Sequence, residues 1–147
     1  MTGKRVAVIG AGMIGAQVAY RLQQGGAQVT LIDAAGPGGV ATAASFGWVN
    51  ASFHVDAHHY AIRAEGLAAW SRLRDDLDMP VSGCGALCWD DTPEALAAEG
   101  LRLRGLGYGA EDVQPDRFAR MAPHVGTVPE HALFFPAEMA AESPTVA

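Results

Sequence analysis

The chain has 147 residues, of which 50% are hydrophobic and 18% are charged, and its formal net charge at pH 7 is -6. This length and apolar content are sufficient for one domain with a buried core. The ten Lys and Arg residues, against sixteen Asp and Glu, give no basic face for nucleic acid or an anionic membrane. No apolar run approaches the length of a transmembrane segment. We therefore expect a soluble cytoplasmic protein.

A glycine-rich turn between two apolar runs is the most informative feature of the sequence. Residues 6–9 predict a buried strand, residues 13–24 a helix, and residues 28–32 a second strand. The turn Gly-Ala-Gly-Met-Ile-Gly at residues 10–15 joins the first strand to the helix, and Asp33 follows the second strand. This order of elements is that of a dinucleotide-binding βαβ unit.

Each glycine of this turn has a distinct predicted role. Gly10 makes the tight turn, Gly12 lets the backbone approach a pyrophosphate, and Gly15 lets the helix lie close to the strand. The pyrophosphate would bind unpaired N–H groups at the positive end of the helix. The carboxylate of Asp33 is placed to accept hydrogen bonds from an adenosine ribose, and it disfavours a 2′-phosphate.

The parallel alternation of strands and helices stops after residue 33. Residues 34–39 form a Gly- and Pro-rich loop. Residues 40–53 are rich in small and hydroxyl-bearing side chains, a composition that suits close approach of the backbone to a flat ligand and equally an ordinary loop with a short helix. Residues 57–77 predict a long helix with one apolar stripe.

The second half of the chain predicts short elements separated by Pro and Gly. The predicted elements, in chain order, are a strand over 81–89, a helix from 91–94 to the glycines at 105–109, a short helix over 115–121, and a strand at Phe134 and Phe135. Cys84 and Cys88 lie within the first of these strands and are expected to be buried free thiols. The five histidines lack zinc-ligand spacing, so no metal site is predicted.

These motifs resemble the amino-terminal part of the FAD-dependent D-amino acid oxidase-like family, which includes glycine oxidase, sarcosine oxidase and the D-amino acid dehydrogenases. The resemblance covers essentially all of the chain. It rests on the fingerprint at 10–15 with Asp33 and on Thr-Ala-Ala-Ser-Phe-Gly-Trp-Val-Asn at 42–50, which is similar to the family's loop beside the flavin. It also rests on the order of the later elements, which ends with Phe-Phe-Pro-Ala-Glu at 134–138.

The resemblance implies FAD as the cofactor and assigns its contacts. Gly10, Gly12 and Gly15 would face the pyrophosphate, and Asp33 the ribose. Family members usually carry glutamate where this chain has Asp33, so the carboxylate reaches less far by one methylene. The residues that would line the pyrophosphate and isoalloxazine are Thr42, Ala43, Ser45, Gly47 and Trp48.

The implied fold class is α/β, a Rossmann-type FAD-binding βαβ unit followed by α+β elements of an incomplete, glutathione reductase-like FAD oxidoreductase fold. Residues 1–53 would form the βαβ core and flavin loop, and residues 54–147 the continuation that begins the substrate domain. Family members are more than twice as long. We therefore expect that a carboxyl-terminal remainder is absent, or that a complementary chain supplies it.

The implied activity is oxidation of the C–N bond of an amino acid or secondary amine by hydride transfer to the flavin. No residue is assigned a catalytic role, although Asn50 and His54 are polar candidates for the flavin edge. Two alternatives stay open. An NAD-dependent Rossmann enzyme would add a third parallel strand soon after residue 33. A catalytically inactive, truncated nucleotide-binding or interaction module would bind a nucleotide weakly or not at all.

The length of the chain also predicts how it behaves by itself. One wall of the cofactor site would be missing, so the isolated chain is expected to be inactive. Apolar surface around Trp89, Phe134 and Phe135 would then be exposed to water, and exposed apolar surface recruits partners or causes aggregation.

Overall fold

The computed structural model describes residues 3–141, except for the side chain of Val40. The described residues form two compact units, 3–47 and 48–141. The division falls after Gly47, whereas the sequence placed the boundary after residue 53. Residues 48 and 49 belong to the second unit because they pair with a strand near the end of the described chain.

The first unit is the predicted βαβ arrangement. Strand β1 (Arg5–Ile9), helix α1 (Met13–Gln24) and strand β2 (Gln28–Ile32) follow one another, and the short helix α2 (Val40–Ala43) comes after the loop. The two strands are parallel, and each residue of β1 pairs in register with one of β2. No third strand joins this sheet within residues 3–47.

The first unit has almost no core of its own. Among its described side chains only those of Ala11 and Ala27 are buried. Ile9 is 86% exposed, Ile14 82% and Phe46 84%. The first unit therefore leaves large apolar side chains exposed to water.

The second unit contains two small antiparallel sheets and three helices. Its elements are β3 (Trp48–Val49), α3 (Ala57–Leu77), β4 (Val81–Ser82), β5 (Ala86–Cys88), α4 (Pro93–Gly105), β6 (Glu111–Val113), α5 (Pro115–Met121), β7 (Ala132–Phe135) and β8 (Met139–Ala141). One sheet has the order β3-β8-β4 and the other β5-β7-β6. Strands β7 and β8 follow each other closely, and each is the central strand of its own sheet.

The helix boundaries of this unit follow from capping side chains. The carboxylate of Asp56 accepts a hydrogen bond from the His59 N–H at the start of α3, and Asp78 ends that helix in the left-handed region with φ 49°. The hydroxyl of Thr92 accepts a hydrogen bond from the Ala95 N–H, and Pro93 occupies the first turn of α4. These caps confirm the predicted helix starts and stops.

The predicted strand over 81–89 is wrong, because the chain forms two shorter strands there that belong to different sheets. Gly85 lies between them with φ +71°, and a Cβ at Gly85 would lie 2.4 Å from the ring of Phe134. Cys84 falls in this break and is exposed, contrary to the expectation of a buried thiol, whereas Cys88 in β5 is partly buried. An even spacing of cysteines indicates a shared face only where the strand is continuous.

Of the three aromatic residues that were expected to be exposed, one lies in the core of the second unit. Phe135 is 2% exposed and packs with Leu103 and Leu133, so that expectation is wrong for Phe135. Phe134 is partly buried beside a second apolar cluster around Phe118. Trp89 is 40% exposed, in agreement with the expectation.

The described helices include none that is both long enough and apolar enough to cross a bilayer. Within residues 3–141, no three His, Cys, Asp or Glu side chains are grouped so that they could hold a metal ion.

Candidate functional site

The glycine turn brings the end of β1 and the start of α1 into contact. Gly10 has φ +101°, which favours glycine, and its N–H donates to the Ile32 carbonyl oxygen at 2.7 Å. An ideal Cβ on Gly15 would lie 1.8 Å from the carbonyl oxygen of Gly10. A side chain at Gly15 would therefore require a backbone shift, whereas at Gly10 the positive φ alone disfavours a residue other than glycine.

The N-terminus of α1 is open to an anionic ligand. Gly12 is the N-cap and provides no side-chain cap. The Met13 N–H donates to Thr42 Oγ1 at 3.0 Å, whereas the N–H groups of Gly12, Ile14 and Gly15 have no hydrogen-bond acceptor in the part of the chain that the structure describes. Unpaired N–H groups and the positive end of the helix dipole make such an end suitable for a phosphate group.

The side chain of Asp33 fixes the glycine turn. Its Oδ2 accepts a hydrogen bond from the Ala11 N–H at 2.7 Å. Its Oδ1 accepts from the N–H groups of Ala35 and Gly36 at 2.8 Å and 3.0 Å. These backbone bonds, that from Ala11 above all, hold the pKa of the Asp33 carboxyl below its ordinary value. The carboxylate therefore links the two loops that follow β1 and β2.

The segment after α2 forms a compact turn next to the N-terminus of α1. The Ser45 N–H donates to the Thr42 carbonyl oxygen at 3.2 Å, and Ser45 Oγ accepts from the Gly47 N–H at 3.1 Å. Ala43 is the last residue of α2. Since a carbonyl and a hydroxyl oxygen of the turn are each bonded to a backbone N–H, residues 42–47 have a defined backbone path.

The first unit brings the glycine turn and Asp33 together with Thr42, as the sequence predicts for a nucleotide site. Trp48, which was assigned to the same site, does not belong to this unit. Gly12 and Thr42 are neighbours, since a Cβ on Gly12 would lie 3.2 Å from Thr42 Oγ1, and Asp33 contacts the turn through Ala11. Trp48 belongs to the second unit, where its indole Nε1–H donates to Glu138 Oε2 at 2.8 Å. Glu138 was not identified from the sequence.

The polar candidates Asn50 and His54 lie in networks of the second unit. Arg63 Nη2 donates to Asn50 Oδ1. His54 Nε2 lies 2.7 Å from Arg102 Nη1, and its Nδ1 lies 3.1 Å from the Ala51 carbonyl oxygen. Because arginine only donates, Nε2 must accept and Nδ1 must carry the proton. Both candidates thus have structural partners.

Comparison with known families identifies the chain. A family model described as FAD dependent oxidoreductase matches residues 5–146, which is nearly the whole sequence. The chain belongs to this family. The resemblance to D-amino acid oxidase-like flavoenzymes is therefore confirmed, and the cofactor of the family is FAD rather than NAD. No curated protein matches the sequence.

Solved structures support the fold. Glycine oxidase from Geobacillus kaustophilus superposes with a TM-score of 0.82 at 20% identity, over 97% of this chain and 42% of that one. Iminodiacetate oxidase from Chelativorans sp. BNC1 superposes with a TM-score of 0.79 at 26% identity, over 97% of this chain and 42% of that one. L-proline dehydrogenase from P. horikoshii superposes with a TM-score of 0.80 at 17% identity, over 99% of this chain and 39% of that one. The chain thus spans about two fifths of each of these proteins, and its fold matches their amino-terminal FAD-binding part.

Proposed function

We propose that this chain is the FAD-binding portion of an oxidoreductase that oxidises the C–N bond of an amino acid or a secondary amine. The observation that carries the proposal is the family match over residues 5–146, and the close packing of Gly15 on Gly10 in the glycine turn supports it. The N-terminus of α1, which has no side-chain cap from its N-cap residue, supports a diphosphate at this position.

In the proposed site, the glycines of the turn and Thr42 would contact the pyrophosphate in different ways. Gly10 and Gly12 would leave room for the pyrophosphate, and Gly15 holds α1 against the end of β1 so that its N–H groups face the phosphates. Thr42 accepts from the Met13 N–H, which leaves its own O–H hydrogen to donate to a phosphate oxygen. The hydroxyl thus connects the helix end to the ligand.

Asp33 would contact the ribose while it holds the turn. A carboxylate has about four lone-pair positions, and backbone N–H groups occupy three of those on Asp33. The free position can accept from one ribose hydroxyl. A 2′-phosphate at the same place would meet a negative charge, which favours FAD over a 2′-phosphorylated dinucleotide.

The isoalloxazine side is assigned to Ala43, Ser45, Gly47 and Trp48. When bound, FAD supplies the acceptor for a hydride from the carbon that carries the amine, and the resulting imine is hydrolysed by water. Glycine, iminodiacetate and L-proline, which appear in the names of the matched structures, each carry an amine nitrogen on a carbon next to a carboxylate. We assign the substrate to this class, and a complementary polypeptide is the expected partner that completes its site.

The Gly12→Val substitution tests the nucleotide site. A branched side chain there would fill the space of the pyrophosphate and contact Thr42 Oγ1, so FAD binding should be lost in a titration followed by flavin fluorescence. Gly105→Val is the matched control, because Gly105 is exposed at the end of α4 and a Cβ there meets no atom within 4 Å. Unchanged FAD affinity in Gly12→Val would contradict the assignment.

A second experiment tests the chemistry. The flavin-loaded protein, with a complementary polypeptide present, is mixed anaerobically with glycine, a secondary amino acid such as proline, and a hydroxy acid as control. Loss of the visible flavin absorbance with glycine or proline, but not with the hydroxy acid, supports C–N oxidation. A protein that binds no flavin would instead support the inactive module.

A further inference from the structure

Glu138 is a fully buried carboxylate between β7 and β8. Its side chain is 0% exposed. Oε2 accepts from the Trp48 indole N–H at 2.8 Å, and Oε1 accepts from the Tyr108 hydroxyl at 2.7 Å and from the Ser52 N–H at 3.3 Å. The carboxylate therefore joins the segment 48–52 both to Tyr108 and to the connection between β7 and β8.

The donors around Glu138 require an acceptor on both of its oxygens. An indole N–H and a backbone N–H can only donate, and they contact different oxygens of this carboxylate. A glutamine amide has one oxygen and one NH₂ group, so either Trp48 or Ser52 would face a second donor. A carboxyl group, which has an acceptor on each oxygen, satisfies both.

No ion pair compensates this charge among residues 3–141, since none of the salt bridges there includes Glu138. Burying an unpaired carboxylate is costly unless hydrogen bonds satisfy it. The Tyr108 hydroxyl remains a donor because burial, and then the bond to Glu138, raises its pKa. Tyr108 in turn accepts from the Ala51 N–H at 3.3 Å, which adds a second link to the same segment.

We propose that Glu138 is a positioning residue whose two carboxyl oxygens clamp the two ends of segment 48–52 and so fix the indole of Trp48 for the flavin. This inference rests on the proposed function, which assigns Trp48 to the isoalloxazine side. The clamp also sets the path of Asn50, which lies between the two bonded residues.

Indole NMR tests the clamp without FAD. The chain is labelled with ¹⁵N at its three tryptophans, and Trp48→Phe identifies the Trp48 resonance. In Glu138→Gln the Trp48 indole N–H resonance should move, while those of the other two tryptophans change much less. Glu130→Gln is the matched control, because Glu130 is exposed on the connection before β7. An unmoved Trp48 resonance in Glu138→Gln overturns the proposal.

If Glu138→Gln does not fold, hydrogen exchange of the indole N–H groups in the parent chain tests the clamp instead. The Trp48 indole N–H, bonded to a buried carboxylate, should exchange much more slowly than that of Trp89, which is 40% exposed. Equal exchange rates would overturn the clamp. Tyr108→Phe distinguishes loss of the clamp from a general loss of packing around Glu138. It removes the hydroxyl donor to Glu138 and leaves the hydrogen bond between Trp48 and Glu138 intact. The Trp48 resonance should therefore move less than in Glu138→Gln.

The link to the flavin is tested by titration with FAD. Where the parent binds FAD, Glu138→Gln should weaken binding, by up to about tenfold if a full hydrogen bond to a charged group is lost from the bound state, and Glu130→Gln should not. Equal affinities, with the Trp48 resonance moved, would overturn the positioning role. A parent that binds no FAD even with the complementary polypeptide present contradicts the proposed function, and the clamp is then judged by the indole measurements alone.

Discussion

The backbone of Gly15 faces the carbonyl oxygen of Gly10 so closely that a methyl group on Gly15 would lie 1.8 Å from that oxygen. Gly15→Ala should therefore force α1 away from the end of β1. Overpacking of this kind costs about 1–3 kcal/mol, and the first unit has little core with which to offset it. We expect a lower midpoint in urea unfolding, followed by circular dichroism, and loss of FAD binding.

The control for this substitution is Gly66→Ala. Gly66 lies inside α3, and a Cβ there meets no atom within 4 Å. Since alanine is favoured over glycine in a helix by about 0.5–1 kcal/mol, this variant should be as stable as the parent or more so. Equal stability of Gly15→Ala and Gly66→Ala would show that the helix is not held against the strand as described.

Thr42 caps α1 from outside the helix, which gives a prediction for its hydroxyl. Thr42→Val keeps the shape of the side chain and removes the acceptor for the Met13 N–H. We expect a loss of about 1 kcal/mol in stability, typical of a lost helix cap, and weaker FAD binding in a fluorescence titration. Thr30→Val, at an exposed position of β2, is the matched control and should leave FAD binding unchanged.

The two oxygens of Asp33 accept from different backbone N–H groups, so its charge matters as well as its shape. Asp33→Asn would place an NH₂ group against one of those donors and should weaken FAD binding. Asp33→Glu keeps the charge and has the side chain usual in the family, so it should bind FAD more tightly than the Asn variant. Equal affinity of the Asn variant and the parent would show that Asp33 contacts something else.

The same bonds predict how acid affects the turn. Because the pKa of Asp33 is lowered in the folded chain from its ordinary value of 3.8, its bonds stabilise the fold above that pH. This stabilisation is lost as the pH falls through the lower, folded-state pKa. A ¹³C NMR titration of the Asp33 carboxyl should therefore have its midpoint below 3.8, and a midpoint at or above that value would contradict the bonds to Ala11 and Ala35.

The two cysteines should differ in reactivity. Burial, and then the hydrogen bond to Asp90, raises the pKa of the Cys88 thiol to about 12, so Cys88 is protonated and unreactive at neutral pH. Cys84 is exposed in the break between β4 and β5. A thiol reagent at pH 8 should label one cysteine rapidly and the other only after unfolding, and Cys84→Ser should abolish the rapid phase. Two rapid phases in the parent would contradict the burial of Cys88.

The βαβ unit could be predicted from the sequence because its signals are local. The glycines of the turn, the apolar runs on both sides and Asp33 all fall within one stretch of chain, and each has a single structural role. The start of α4 was predictable for the same reason, since Thr92 and the residues it caps are close neighbours in sequence.

The antiparallel sheets could not be predicted in this way. Strands β3, β4 and β8 contain two or three residues each, too few for an alternating pattern to be distinguished from a loop. The bond between Trp48 and Glu138 spans ninety positions, and neither residue has a sequence neighbour that indicates the other. A charged residue between two apolar strands was the one signal that could have marked Glu138 as buried and paired.

The last prediction concerns the chain expressed by itself. Its exposed apolar side chains include Ile9, Ile14 and Phe46 in the first unit and Val55, Ile62 and Trp89 in the second, whereas Phe135 is buried, contrary to what the sequence indicated. Exposed apolar patches promote association, and matched structures contain more than twice this length of chain. We expect the isolated chain to self-associate, to bind a hydrophobic dye and to lose FAD during gel filtration, and co-expression with a complementary polypeptide to reverse all three. A monodisperse yellow protein that oxidises an amino acid by itself would contradict this expectation.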